Sequence, residues 1–261
     1  MNLVFYKYQG TGNDFIIIDN RNNSIELTKE QINKLCSRRF GIGADGLMLM
    51  NDHSACDFEM IYYHADGNPS TMCGNGGRCM IRFAYDRGLH KSEYLFKAID
   101  GEHKAEIEDN GWVDLKMIDV DKVEITSFSD FILDTGSPHY VKPVSDVAHT
   151  DVVKEGREIR YSRRFAGEGI NVNFVELETD GNIYVRTYER GVEDETLSCG
   201  TGVTASALAF AHNDNGYNRV DVKTPGGNLA VEFYKTGETS FNNIWLCGPA
   251  VFVFKGEVDI S

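Results

Sequence analysis

Two cysteines in this chain stand where a thiol can be made acidic and put to work. In Thr71-Met72-Cys73-Gly74-Asn75-Gly76-Gly77-Arg78-Cys79 a cysteine precedes a glycine-rich turn, and Met80, Ile81, Phe83, Ala84 and Tyr85 continue as the start of a buried helix. A sulfur at a helix N-terminus meets backbone N–H groups without intrahelical partners and the positive end of the helix dipole. Both favour thiolate over thiol, so Cys73 is expected to be more acidic than a free cysteine. Ser198-Cys199-Gly200-Thr201-Gly202-Val203-Thr204-Ala205 repeats the arrangement, with Ala207, Leu208, Ala209 and Phe210 as the following helix. Two activated thiols on equivalent scaffolds suggest two equivalent chemical roles.

Other landmarks recur in the same order. Gly12 in Thr11-Gly12-Asn13-Asp14 and Gly136 in Thr135-Gly136-Ser137-Pro138 are 124 residues apart. Phe40 and Phe165, each after an arginine and before a glycine-containing turn, are 125 apart, and Cys73 and Cys199, like Gly101 and Gly227, are 126 apart. A near-constant offset implies an internal duplication. We therefore expect two domains: 1–120, joined by a returning C-terminal strand at about 248–261, and 121–247.

Each copy reads as many short strands around one apolar helix. In the first, strands are expected over Leu3–Tyr8, Phe15–Ile18, Leu47–Met50, Phe58–Tyr63, Lys104–Glu108 and Val113–Met117, with Asp109-Asn110-Gly111 as a hairpin turn. Thr28 and Gln31 form a capping box for a helix bearing Ile32, Leu35 and Cys36. In the second, Phe131–Leu133, Val172–Leu177, Ile183–Tyr188, Leu229–Tyr234 and Ile244–Leu246 are strands, and a helix lies within Ser145–Glu155. Ala250–Phe254 is a spare strand free to return to the first sheet. Ala207–Ala211 is apolar nearly all round, the mark of a helix enclosed by a sheet. The fold class expected is α/β (α+β): two pseudo-symmetric domains from an internal duplication, each a mostly antiparallel sheet wrapped on a central helix.

Around the two thiols, several side chains compete between structural and functional roles. His139 follows a turn equivalent to that of Asn13, and Glu189-Arg190 sits at a strand end ten residues before Cys199, as His64 precedes Cys73. A core histidine and an exposed ion pair are the plain readings; proximity to the cysteine turns favours a site. Asn171 and Asn173 alternate and share one strand face. Cys36, Cys56, Cys79 and Cys247 read as core thiols.

The bulk properties narrow the class. Forty-one per cent hydrophobic and 25% charged residues describe a globular chain, and a net charge of −14 disfavours nucleic acid or an anionic membrane as partner. No apolar run approaches the roughly 18 residues of a membrane span, and no signal peptide is evident. Without a CxxC pair neither a zinc ribbon nor a thioredoxin-type site is indicated. The expectation is a cytoplasmic protein with free thiols and no metal site.

Taken together, YQGTGNDF, ADGNPSTMCGNGGRC, GSPHYV, GINVNFV and YERGVEDETLSCGTG resemble the diaminopimelate epimerase family over essentially the full length. Proline and hydroxyproline racemases share the two-cysteine plan but typically carry His where this chain has Asn75. The resemblance implies cofactor-independent interconversion of LL- and meso-diaminopimelate, in lysine and peptidoglycan precursor synthesis, by a homodimer with the active site in the cleft between the two domains of each chain. It implies Cys73 and Cys199 as the catalytic pair, with His139 and Glu189 tuning them. The substrate would be held by Asn13, His64, Gly74, Asn75, Ser137, Asn171, Glu189, Arg190, Gly200 and Thr201. The chain departs from the family pattern at His64, where Asn is usual, at Ser137, often Asn, and at Gly46, often Gln. Rival readings are a racemase of another amino acid, a thiol redox protein and an inactive binding protein.

Overall fold

The computed structural model describes residues 2–179, 181–211 and 215–260. The chain forms two compact units, one of Met1–Leu115 with Pro249–Ser261 and one of Lys116–Gly248.

In the first unit, β1 (Asn2–Gly10) and β2 (Asn13–Asn20) form a hairpin. Thr11 and Gly12 close it with φ of 49° and 86°, the doubly positive geometry that matches strand twist. Thr28 accepts from the Gln31 backbone and the Gln31 side chain returns to Thr28 N, so the expected capping box starts α1 (Lys29–Cys36). Next come β3 (Gly46–Asn51), β4 (Phe58–His64), the short β5 (Pro69–Ser70) and the central helix α2 (Gly74–Asp86). α2 ends in a Schellman turn: Gly88, at φ 94°, donates to Tyr85 O and Leu89 N to Ala84 O. β6 (Glu93–Ala98), β7 (Gly101–Ile107) and β8 (Val113–Lys116) complete an antiparallel meander.

The second unit holds β9 (Glu124–Ile125), β10 (Phe131–Asp134), β11 (Pro138–Pro143), α3 (Val152–Arg160), β12 (Asn171–Leu177), β13 (Ile183–Glu189) and β14 (Asp194–Thr196). The central α4 (Gly200–Ala209) follows, then β15 (Gly216–Thr224), β16 (Gly227–Lys235) and β17 (Phe241–Gly248). The last strand, β18 (Val251–Asp259), runs antiparallel to β1 from Asn2↔Asp259 to Gln9↔Val251.

The duplication extends to register. Most pairings are antiparallel, but β2–β3 and β4–β6 are parallel, as are β11–β12 and β13–β15. Phe15 faces Gly46 as His139 faces Asn171, and Met48 faces Tyr62 as Asn173 faces Thr187. Both central helices are buried on all sides of their first turns, α2 from Gly74 to Ile81 and α4 from Gly202 to Leu208.

Three expectations need correction. The helix placed within 145–155 is α3, Val152–Arg160. Asp151 caps it through Lys154 N, while 145–150 is a turn in which Asp146 accepts from His149 N and Glu176 from Val147 N. Asp and Thr side chains there outcompete helical bonding. Cys56 is partly exposed in the loop before β4, not a core thiol. Among the longer strands, β6, β11 and β15 lie outside the expected set, although all three alternate more and less buried positions.

Candidate active site

Cys73 is the N-cap of α2. Its backbone is extended (φ −99°, ψ 131°), its carbonyl accepts from Gly77 N at 2.7 Å, and the partly buried sulfur donates to Asn13 Oδ1 at 3.7 Å. The orientation of Asn13 is set from behind: its Nδ2 donates to Asp45 Oδ2 at 2.5 Å. Arg38 bridges Asp45 and Asp14, and buried Lys7 pairs with Asp14 at 2.8 Å. Burial alone would raise the Asp14 pKa, yet the bonds from Arg38 and Lys7 win and hold its carboxyl far below the usual range.

The next residue of the turn, Asn75, is buried, and its Oδ1 accepts from Arg78 at 3.0 Å; Arg78 also donates to Gly74 O at 3.3 Å and to Thr11 Oγ1 at 3.2 Å. Arg78 is 0% exposed and stitches the cysteine turn to the β1–β2 hairpin. Sequence reasoning passed over it, although an arginine in the first turns of an apolar helix is the available signal. Asp45, in a glycine-rich loop, offered none. His64, at the end of β4, is exposed, with Nδ1 3.4 Å from the Tyr62 hydroxyl. Opposite it, Gly46 has no space for a side chain: a Cβ would lie 2.4 Å from the Tyr62 ring and 2.6 Å from Tyr63 O.

Cys199, the N-cap of α4, is extended (φ −115°, ψ 111°) and 8% exposed. Its sulfur lies 3.5 Å from Thr201 Oγ1, and Thr201 Oγ1 lies 2.9 Å from His139 Nε2. His139 is fully buried on β11, and Asn173 Nδ2 reaches its Nδ1 at 3.1 Å. Burial, with the Arg190 charge adding to it, pushes the His139 pKa down to about 3, so the ring is neutral. Ser137, Asn171 and Arg190 form a second cluster. Asn171 Nδ2 donates to Ser137 Oγ at 2.9 Å, Arg190 N donates to Asn171 Oδ1 at 2.9 Å, and the Arg190 guanidinium reaches Ser137 Oγ at 3.4 Å and Glu168 O at 3.1 Å. Glu189, partly buried, ends β13 beside them. The structure thus gathers Asn13, Gly74 and Asn75 around Cys73, and His139, Gly200 and Thr201 around Cys199. His64 stands at a strand end of the first unit.

The other thiols are different. Burial pushes Cys36 up to about 11 and Cys79 up to about 12, so neither is a base near neutrality. None of the six cysteines is in a disulfide. Among the described residues, no helix is long and apolar enough to cross a membrane.

A mixed α/β unit repeated twice is the fold this chain shares with solved proteins of the PhzF and proline racemase-like type. A phenazine biosynthesis protein of the PhzF family from Bacillus anthracis aligns at TM-score 0.77 and 17% identity over 99% of both chains. A hydroxyproline epimerase from Agrobacterium vitis aligns at 0.70 and 14% identity, over 98% of this chain and 91% of the other. The particular family comes from sequence: the model for "Diaminopimelate epimerase" matches residues 5–123 and 131–253, and the chain belongs to that family. The diaminopimelate epimerase of Flavobacterium psychrophilum is 49% identical over 97% of this chain and 99% of its own length, and that of Chlorobaculum tepidum is 41% identical over 96% and 99%.

Proposed function

We propose that Cys73 and Cys199 form an acid–base pair acting on opposite faces of one α-carbon of diaminopimelate. The family makes the chain an isomerase, and its reaction is the epimerisation of diaminopimelate in lysine biosynthesis. The observation that carries the mechanism is that both thiols cap enclosed helices at repeat-equivalent positions.

An amino-acid α-proton is a very weak acid, so a base on one face must act with a donor on the other. One sulfur takes the proton as thiolate while the other delivers its own, and the configuration inverts. Charge growing toward the α-carboxylate is met by backbone N–H groups of Gly74-Asn75 and Gly200-Thr201 at the positive ends of α2 and α4. Excluding water keeps the thiolate basic enough. His139 and Glu189 tune the thiols. Asn13, His64, Ser137, Asn171 and Arg190 hold the distal ammonium and carboxylate, Arg190 being suited to bidentate carboxylate binding.

Incubation with LL-diaminopimelate in D2O tests this. Deuterium should enter the α-position of the inverted product without added cofactor, and Cys73→Ala and Cys199→Ala should each abolish inversion. Exchange with a proline derivative in place of diaminopimelate would transfer the mechanism to another substrate; inversion surviving either substitution would end it. The active form is read as a cytoplasmic homodimer. Free thiols suit a reducing compartment, and Val251, Phe252, Val253 and Phe254 of β18, each between 44% and 51% exposed, offer apolar surface for a second copy.

A further inference from the structure

The two repeats brace the same strand end by different means. In the second unit Asn171 of β12 stands beside the end of β13. Its Oδ1 accepts from Arg190 N at 2.9 Å, and its Nδ2 donates to Ser137 Oγ at 2.9 Å. The neighbouring strand carries the small Thr187, whose hydroxyl donates to Asn173 Oδ1 at 2.9 Å.

In the first unit the volumes are exchanged. Gly46 holds the register place of Asn171, and Tyr62 holds that of Thr187. The Tyr62 ring lies on the bare Cα of Gly46: a Cβ there would stand 2.4 Å from Tyr62 Cε2 and 3.1 Å from its hydroxyl. A phenol thus fills in one copy the space that an amide side chain fills in the other.

Its neighbours place Tyr62 beside the cysteine turn. Phe15 meets the ring edge-on with centroids 5.9 Å apart, and Phe15 itself lies 3.5 Å from the Cβ position of Gly76 in the first turn of α2. Ser70 of β5, three residues before Cys73, pairs with Tyr62 across the β4–β5 ladder. From there the hydroxyl meets the strand end. It lies 3.4 Å from His64 Nδ1, and the two rings meet at 63° with centroids 5.3 Å apart. A phenol can donate to Nδ1 or accept from it, so the contact serves either neutral tautomer of His64. Nε2, on the other side of the imidazole, is the nitrogen turned away from this contact.

We propose that Tyr62 is a positioning residue for substrate binding: it does for His64 what Asn171 does for Arg190, holding the imidazole by Nδ1 so that Nε2 meets the distal end of diaminopimelate. A side chain fixed before binding loses less freedom when the ligand arrives. The effect therefore falls on affinity and not on proton transfer. This rests on the reading of His64 as a substrate contact.

Steady-state kinetics of the full-length enzyme with LL-diaminopimelate test it. Tyr62→Phe keeps the ring against Gly46 and Phe15 and removes only the hydroxyl. It should raise KM about five-fold, the worth of one net hydrogen bond, with kcat nearly unchanged. His64→Ala should raise KM at least as much, and Tyr62→Phe should add nothing in the His64→Ala background. A tyrosine that only supports the fold would not depend on His64 in this way. An unchanged KM in Tyr62→Phe, a fall in kcat instead, or the same loss with and without His64 would overturn the proposal. Urea unfolding tests the shared space without substrate. Gly46→Ala should lower the midpoint less in a Tyr62→Thr background than in the parent, and equal drops would overturn the placement on which the proposal stands. Failure of the parent to exchange α-deuterium with that unfolding pattern intact would instead count against the substrate assignment.

Discussion

Asp45 accepts the Asn13 side-chain N–H at 2.5 Å, and Asn13 offers its oxygen to the Cys73 sulfur at 3.7 Å. The carboxylate thus acts on the thiol through an amide whose orientation it dictates. Arg38 and Lys7 anchor the far side of this arrangement through Asp14.

Replacing Asp45 with Asn removes that dictation, because an amide there can satisfy either face of Asn13. We expect Asp45→Asn to lower kcat about tenfold, or ~1.4 kcal/mol of transition-state stabilisation, with a smaller change in KM. Steady-state kinetics check this. An unaltered kcat would mean that Asn13 keeps its pose without the carboxylate.

The two helix glycines should respond unequally to one added methyl. Gly202→Ala forces a Cβ to within 2.3 Å of Asn173 Oδ1, an overpacking worth about 1–3 kcal/mol, and displaces His139. Gly76→Ala meets the flexible Met48 sulfur at 3.3 Å and gains helix propensity, so its stability should change by less than about 1 kcal/mol. Denaturant unfolding of the two variants compares them, and equal losses would contradict the packing difference.

His139 should make folding stability depend on pH in the mildly acidic range. Its pKa falls from 6.5 to about 3 on folding, so below 6.5 the unfolded chain binds a proton that the folded chain refuses. The contribution is therefore fully present above pH 6.5 and is lost as pH falls toward about 3, at up to about 1.4 kcal/mol per pH unit. Asp14, whose carboxyl is depressed, adds a loss that begins only near its ordinary value of 3.8. Urea midpoints at pH 7 and pH 5 should diverge in the parent and converge in His139→Gln.

The exposed His64 ring, steadied by Tyr62, is expected to contact substrate rather than to support the fold. His64→Ala should raise KM several-fold with kcat less affected, as for lost uniform binding. Unchanged turnover at low substrate would reject a role for His64.

Much of this protein was legible in one dimension. Cysteine, glycine and an apolar run in fixed order mark a helix start at Gly74 and again at Gly200, because cap geometry is a local property of a few residues. The Thr28–Gln31 box is local for the same reason. Matching offsets reveal the duplication, since equal spacing survives when residue types drift.

Other features needed the folded chain. Arg78 reaches back 67 positions to Thr11, Asp45 lies 32 from Asn13, and His139 lies 62 from Thr201. Nothing local ties these partners together, and only strand register brings them into contact. Sequence by itself determined which atoms are able to react. Tertiary structure decided which way their hydrogen bonds point, because that direction depends on which acceptor lies behind each amide and each ring nitrogen.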